Sequence, residues 1–131
     1  MAFLTKAQIL AAKDIETETV AVPEWGGEVR VRGLSAAERD GFEEQVVKRE
    51  GKRTRVILKD VRAKLAALCM VDEDGVRMFS DAEVGELTRK SAAALERVFK
   101  VAQRLSGITD DDVEELEKNS ESGPAEDSLS A

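Results

Sequence analysis

Ser91-Ala-Ala-Ala-Leu-Glu-Arg-Val-Phe-Lys-Val-Ala-Gln-Arg-Leu-Ser106 is the stretch whose reading decides the fold. At about 100° per residue, Ala92, Leu95, Val98, Phe99, Ala102 and Leu105 fall within an arc of roughly 140°. Glu96, Arg97, Lys100, Gln103 and Arg104 fill the opposite side. A strand alternates with period two and could not sort these residues, so the stretch is a helix with one buried face. Gly107 stands where a helix C-cap needs a left-handed residue. The rest of the chain has to supply the cover for that face.

Upstream, Glu16 to Arg32 holds two period-two runs, Val20/Val22 and Val29/Val31, around Pro23-Glu-Trp-Gly-Gly27. That pattern predicts a β-hairpin over about residues 18–33, with its valine face on the helices. A hairpin alone is marginal, so it requires that docking. Three Ser/Thr-x-x-Glu/Gln boxes mark helix starts: Thr5 with Gln8, Ser35 with Glu38, and Ser80 with Glu83. The first opens a short helix to about Lys13, with a partial apolar face of Leu4, Ile9 and Leu10 that docks on something, another subunit being one candidate. The second opens a helix to about Gly51 with a thin stripe of Phe42, Val46 and Val47. The third opens a short helix that ends before Ser91.

A longer helix is expected from about Thr54 to Val71, burying Ile57, Leu58, Val61, Leu65 and Leu68. On its outer side Lys52, Arg55, Lys59 and Arg62 align within about 80°. Asp72-Glu-Asp-Gly75 is a turn, and Val76-Arg-Met-Phe79 fits a short returning strand, a second short hairpin. Thr109 caps a last helix to about Lys118, with Asp110, Asp111 and Asp112 against its positive dipole end. Residues 119–131 hold one large apolar side chain, Leu129, and are expected to stay disordered. The fold class is α+β, predominantly helical: about five helices and an N-terminal β-hairpin in one domain, 1–118, followed by an acidic tail.

The chain of 131 residues is 42% hydrophobic and 36% charged, with no His and no Tyr. It is large enough to bury a core without metals or disulfides. The net charge of −7 is uneven. From Thr109 onward there are nine acids and one base, whereas residues 1–108 carry eighteen acids and nineteen bases. An acidic chain of this kind disfavours nucleic acid as the main partner. The single cysteine, Cys69, rules out an internal disulfide framework and sits in an apolar run, as a buried small hydrophobe does. No apolar run approaches transmembrane length and no signal-peptide layout is present, so the expected location is cytoplasmic.

No candidate catalytic residue emerges. Without His or a second Cys, the usual nucleophile–base pairs and zinc sets are missing. Adjacent pairs such as Glu43/Glu44 and Glu114/Glu115 do not share a helix face. Asp72–Gly75 lacks the twelve-residue ligand series of a calcium loop. No catalytic, metal or cofactor-binding residue is therefore assigned. Two features bear on protein partners. The basic residues Lys52, Arg55, Lys59 and Arg62 suit a solvated face, an acidic protein surface (this chain's own tail included) or a phosphate backbone. Trp25, in the hairpin turn, is either a plug under the hairpin or an exposed interface anchor.

The string Thr19-Val-Ala-Val-Pro-Glu-Trp-Gly-Gly-Glu-Val-Arg-Val-Arg-Gly-Leu-Ser-Ala-Ala-Glu-Arg39 resembles the start of tail assembly chaperones of long-tailed phages and prophages. Val71-Asp-Glu-Asp-Gly75, Phe79-Ser80-Asp, Leu105-Ser-Gly-Ile-Thr109 and Glu117-Lys-Asn-Ser120 follow in the same order, so the resemblance spans roughly residues 5 to 120. It implies a non-enzymatic protein of the bacterial host cytoplasm, self-associating and absent from the finished virion. Its implied partners are the tape measure protein, which it keeps soluble, and tail tube subunits, which it helps to recruit. In many such phages a programmed frameshift makes a longer minor form. Two readings from other classes stand beside it. One is a small phage or prophage DNA-binding regulator using the Lys52–Arg62 stripe, and the other is a structural tail or head-completion protein.

Overall fold

A computed structural model describes residues 2–56 and 60–108, with the backbone alone over 47–50 and 53–56. The helix expected from Thr109 and the tail beyond it lie outside the described residues. The elements run α1 (Lys6–Ala11), β1 (Thr17–Val22), β2 (Gly27–Arg32), α2 (Ala36–Val46), β3 (Val47–Glu50), β4 (Arg53–Val56), α3 (Val61–Cys69), β5 (Met70–Val71), α4 (Val84–Leu87) and α5 (Ala92–Leu105). The class is α+β, with five α-helices among the described residues and an N-terminal hairpin.

The central helix α5 forms as its periodicity requires. Ser91 caps it, its hydroxyl accepting from the Ala94 N–H at 3.2 Å. Gly107, at φ 73, closes it. The Gly107 N–H donates to the Arg104 carbonyl at 3.2 Å and the Ile108 N–H to the Gln103 carbonyl at 2.9 Å. Those two bonds complete a Schellman motif and satisfy carbonyls that would otherwise be orphaned. Its buried residues are Ala94, Leu95, Val98, Phe99, Ala102 and Gln103. The face is therefore rotated slightly from the expected one: Ala94 is buried where Ala92 is exposed, and Gln103 lies within it.

Against α5 lies an antiparallel sheet in the order β1-β2-β5. The β1–β2 register pairs Val20 with Val29 and Glu18 with Val31. Opposed residues share a face, so Val20, Val22, Val29 and Val31 face the core together with Glu18. Glu18, on the same side of the strand but at the rim of the core and 41% exposed, pairs with Arg104 of α5, whose Nη2 reaches Glu18 Oε1 at 2.7 Å. On the other side α3 packs on α5, burying Ala63, Leu65, Ala66, Ala67 and Cys69. Alanines on both helices permit a close approach, and Leu65, Val98 and Met70 fill the space between.

Beyond β5, Asp72 Oδ1 accepts from the N–H groups of Asp74 and Val76, and Gly75 sits at φ 83. Arg77 then bridges back to Val71. This turn and short return follow the expected second hairpin. All three expected capping boxes are present: Thr5–Gln8, Ser35–Glu38 and Ser80–Glu83.

The segment between α2 and α3 departs from expectation. The helix foreseen to Gly51 ends at Val46, and the one foreseen from Thr54 starts at Val61. Residues 47–56 instead form a separate two-stranded ribbon with Glu50 opposite Arg53, so that Gly51 and Lys52 make the turn, Gly51 at φ 65. Glycine first in a two-residue loop matches the twist of a hairpin. Asp60, left-handed at φ 64, breaks the backbone just before α3.

Ser35–Glu38 does more than start α2. Arg32 grips both Glu38 oxygens, at 2.8 and 2.5 Å, tying the end of β2 to the helix. That grip, with Ser35 donating to the same carboxylate, holds Glu38 down at about 2 against an ordinary 4.5. A depressed carboxylate stabilises the fold fully above its unfolded value, and the contribution is lost as pH falls from 4.5 toward 2. The full shift would be worth ~3 kcal/mol. The Glu38 side chain is 35% exposed, and solvent screening reduces that to about 1–2 kcal/mol. Glu38→Gln should thus cost about 1–2 kcal/mol in urea unfolding at neutral pH, with the gap to the parent shrinking by about pH 3.

Candidate protein-binding surface

The first fifteen residues carry Phe3, Leu4, Ile9, Leu10 and Ile15, and the fold uses none of them. They are 98, 71, 57, 76 and 45% exposed. Helix α1 has no buried residue. It is held by its own box: the Gln8 N–H donates to Thr5 Oγ1 at 3.2 Å and the Thr5 N–H to Gln8 Oε1 at 2.9 Å. A helix this short is marginal in water without packing. Scattered single apolar side chains on a surface are ordinary, but five exposed within the first fifteen residues concentrate apolar surface in one short arm. Val76 and Met78, 60 and 49% exposed, form a smaller patch on the second hairpin.

Trp25 is half-buried rather than fully exposed. It ends a 3-10 turn, Pro23–Trp25, that packs on α5, and it is half-buried against the core. Its buried indole N–H has no acceptor among the described residues. Its neighbour Glu24 pairs with Arg97 of α5 at 3.0 Å.

The basic stripe is not assembled as expected. Lys52 sits in the β3–β4 turn, Arg55 lies on β4, and Arg62 is in the first turn of α3; Lys59 lies outside the described residues. The reason is the ribbon: a stretch paired as strands cannot continue a helical face. Arg62 also has partners within the fold. Its Nε lies 2.5 Å from Glu96 Oε2, and its guanidinium stands over the Phe99 ring at 5.5 Å. It clamps α3 to α5 with an ion pair and a cation–π contact.

Between these helices and the end of α4 is an open cleft of about 510 Å³ lined by Asp60, Arg62, Thr88, Lys90, Leu95 and Glu96, among others. It mixes both charges with small apolar side chains and places no nucleophile beside a base. Cys69 is buried elsewhere, its thiol pushed up to about 11 by desolvation, and stays protonated at neutral pH. Among the described residues no group of three or more His, Cys, Asp or Glu could hold a metal ion, and no helix is long and apolar enough to cross a membrane.

The missed feature is that every large apolar residue of the arm is exposed. Its apolar residues were visible in the sequence, but only the fold shows that the core closes without them.

Comparison with known proteins follows the same line. The family model described as phage tail assembly chaperone matches residues 4–119. No curated protein matches the chain. Among solved structures the fold is similar to that of the bacteriophage HK97 tail assembly chaperone. The two are 23% identical, with 79% of this chain and 95% of that one covered and a TM-score of 0.53. At that identity the likeness speaks for the fold.

Proposed function

The chain belongs to the phage tail assembly chaperone family, and on that premise we propose that it holds the tape measure protein soluble during tail assembly and helps bring tail tube subunits to it. It does so as a self-associating, non-catalytic carrier in the host cytoplasm and leaves before the virion is complete. The observation that carries this reading is the N-terminal arm. A long helical client with apolar stripes needs an exposed apolar surface on a charged, well-folded carrier. Phe3, Leu4, Ile9, Leu10 and Ile15 provide one without drawing on the core.

Burying each such side chain is worth about 1.5–3 kcal/mol, so a few anchors suffice for a reversible grip. The stripe on which a regulator reading would rest is divided, Lys52 lying in a turn, Arg55 on a strand and Arg62 at a helix start paired with Glu96. Co-expression with the tape measure protein of the same genome tests the proposal. The client should move from the insoluble to the soluble fraction and co-elute with the chaperone on size exclusion. Unchanged insolubility with no shared peak rejects it.

A further inference from the structure

We infer that the outer edge of β1 pairs with the same edge of a second copy of this chain, antiparallel about a twofold axis at Thr19. Such pairing supplies the surface for the self-association proposed above and rests on that part of the proposal. Strand β1 (Thr17–Val22) stands at one edge of the three-stranded sheet, while Arg77 bridges to the short strand at the other edge. The Gly33 N–H donates to the Glu16 carbonyl at 3.0 Å, in line with the register that sets Thr17 opposite Arg32. Bonded pairs alternate along an antiparallel ladder, so Glu18, Val20 and Val22 turn their backbone groups toward β2. Thr17, Thr19 and Ala21 turn theirs outward, where they meet no partner among the described residues. Their side chains are exposed as well. A row of free N–H and C=O groups is a template for another strand. The usual guards are missing. The register runs one for one from Thr17 to Val22 without a bulge, and the strand holds no Pro and no Lys. Its one charged residue, Glu18, is paired with Arg104.

The pattern of β1 selects its own copy as the occupant. Across such an edge, only Thr17, Thr19 and Ala21 can form bonded pairs. Setting Thr19 against Thr19 of the second copy joins all three: Thr17 with Ala21, Thr19 with Thr19, and Ala21 with Thr17. At two bonds to a pair, that makes about six backbone hydrogen bonds. Thr then faces Thr across the axis, a favourable cross-strand pair, and Glu18 faces Val20, so no acid opposes an acid. Setting Thr17 against Thr19 instead loses a bonded pair and brings Glu18 directly opposite Glu18. Setting Thr19 against Ala21 loses a bonded pair as well. The strand is therefore complementary to itself in one register, as an isologous interface requires. The client proposed above is helical and presents no strand to this edge. Six residues a side make a small contact, so the dimer forms reversibly.

The test uses the full chain without client. Sedimentation over a concentration series should show a dimer with a dissociation constant below about 1 mM. At about ten times that constant roughly one fifth of the chain stays monomeric, so amide exchange at Thr17, Thr19 and Ala21 should slow about fivefold. Glu18, Val20 and Val22 are bonded to β2 in both states and should not change. Thr19→Lys opposes two cations at the axis and should weaken the dimer at least about fivefold. Thr19→Glu should do the same, and an equimolar mixture of the two variants should restore the dimer, because opposite charges then meet. Thr19→Pro removes the outward N–H and leaves the bonds to β2 intact, as an edge strand allows. The axis doubles that loss, so the dimer should weaken at least about thirtyfold. Association that survives Thr19→Lys and Thr19→Pro, or a Lys/Glu mixture that stays apart, overturns the inference and leaves self-association standing through another surface. A parent chain still monomeric at about 1 mM overturns both. Solubility of the co-expressed client is read separately and judges the holding role alone.

Discussion

Gly33→Ala is expected to lower stability by about 3 kcal/mol or more, the upper range for overpacking. A Cβ built on Gly33 would lie 2.9 Å from the Leu105 carbonyl carbon and closer still to its oxygen. Both are backbone atoms of the last turn of α5, so no side chain can swing aside. Nor can the segment retreat, because it is tied on both sides. The Gly33 N–H donates to the Glu16 carbonyl at 3.0 Å, and the Leu34 N–H to Ser106 Oγ at 3.1 Å. Relief would require moving the sheet away from α5, which opens the space around Val22, Val31 and Val98, all fully buried. For a domain near this size a loss of ~3 kcal/mol lowers Tm by about 12 °C or more. Gly41→Ala is the control. Gly41 lies inside α2, and a methyl added there would meet nothing within 4 Å. Relief of glycine's entropy cost at that position should stabilise by about 0.5–1 kcal/mol. Opposite signs for one chemical change, read by thermal melts, would establish that contact with α5 decides the outcome. A Gly33→Ala variant as stable as the parent would show that sheet and helix are not seated as described.

Much of this architecture was legible in the chain. Helix α5 announced itself through strict separation of its faces, and the β1–β2 hairpin through valine alternation. The helix starts showed through boxes whose partners stand three residues apart. These signals are local, and the hydrogen bonds they predict are local as well. The ribbon was hidden because its alternation is not one of apolar against polar. Lys, Arg, Glu and Thr occupy nearly every place between Val47 and Val56, so a period-two reading had nothing to detect. Meanwhile Ile57, Leu58, Val61 and Leu65 continue a helical spacing backwards across it. The available signal was Gly51-Lys52 with a valine four residues away on either side. The exposed arm was illegible for a different reason. Its apolar residues look like any docking face until the core is seen to close without them, and that is a property of the assembled fold.

The separation of arm from core leads to the second large effect. Phe3→Ser, Leu4→Ser, Ile9→Ser and Leu10→Ser combined should leave Tm within about 2 °C of the parent, since surface changes away from packing usually stay within about ±0.5 kcal/mol. Grip on the tape measure protein should nevertheless fall at least about a hundredfold, the minimum for losing two anchors of ~1.5 kcal/mol each. The box residues Thr5 and Gln8 are untouched, so α1 keeps its local bonds and the variant differs in surface chemistry alone. Thermal melts and pull-down of the co-expressed client read the two halves independently. A folded variant that still solubilises the client would move the binding surface off the arm, leaving the Val76–Met78 patch as the next apolar surface to alter. A variant that unfolds would mean the arm packs on the body in solution and belongs to the core after all. Only intact folding with lost holding fits an arm kept outside the body to cover another protein.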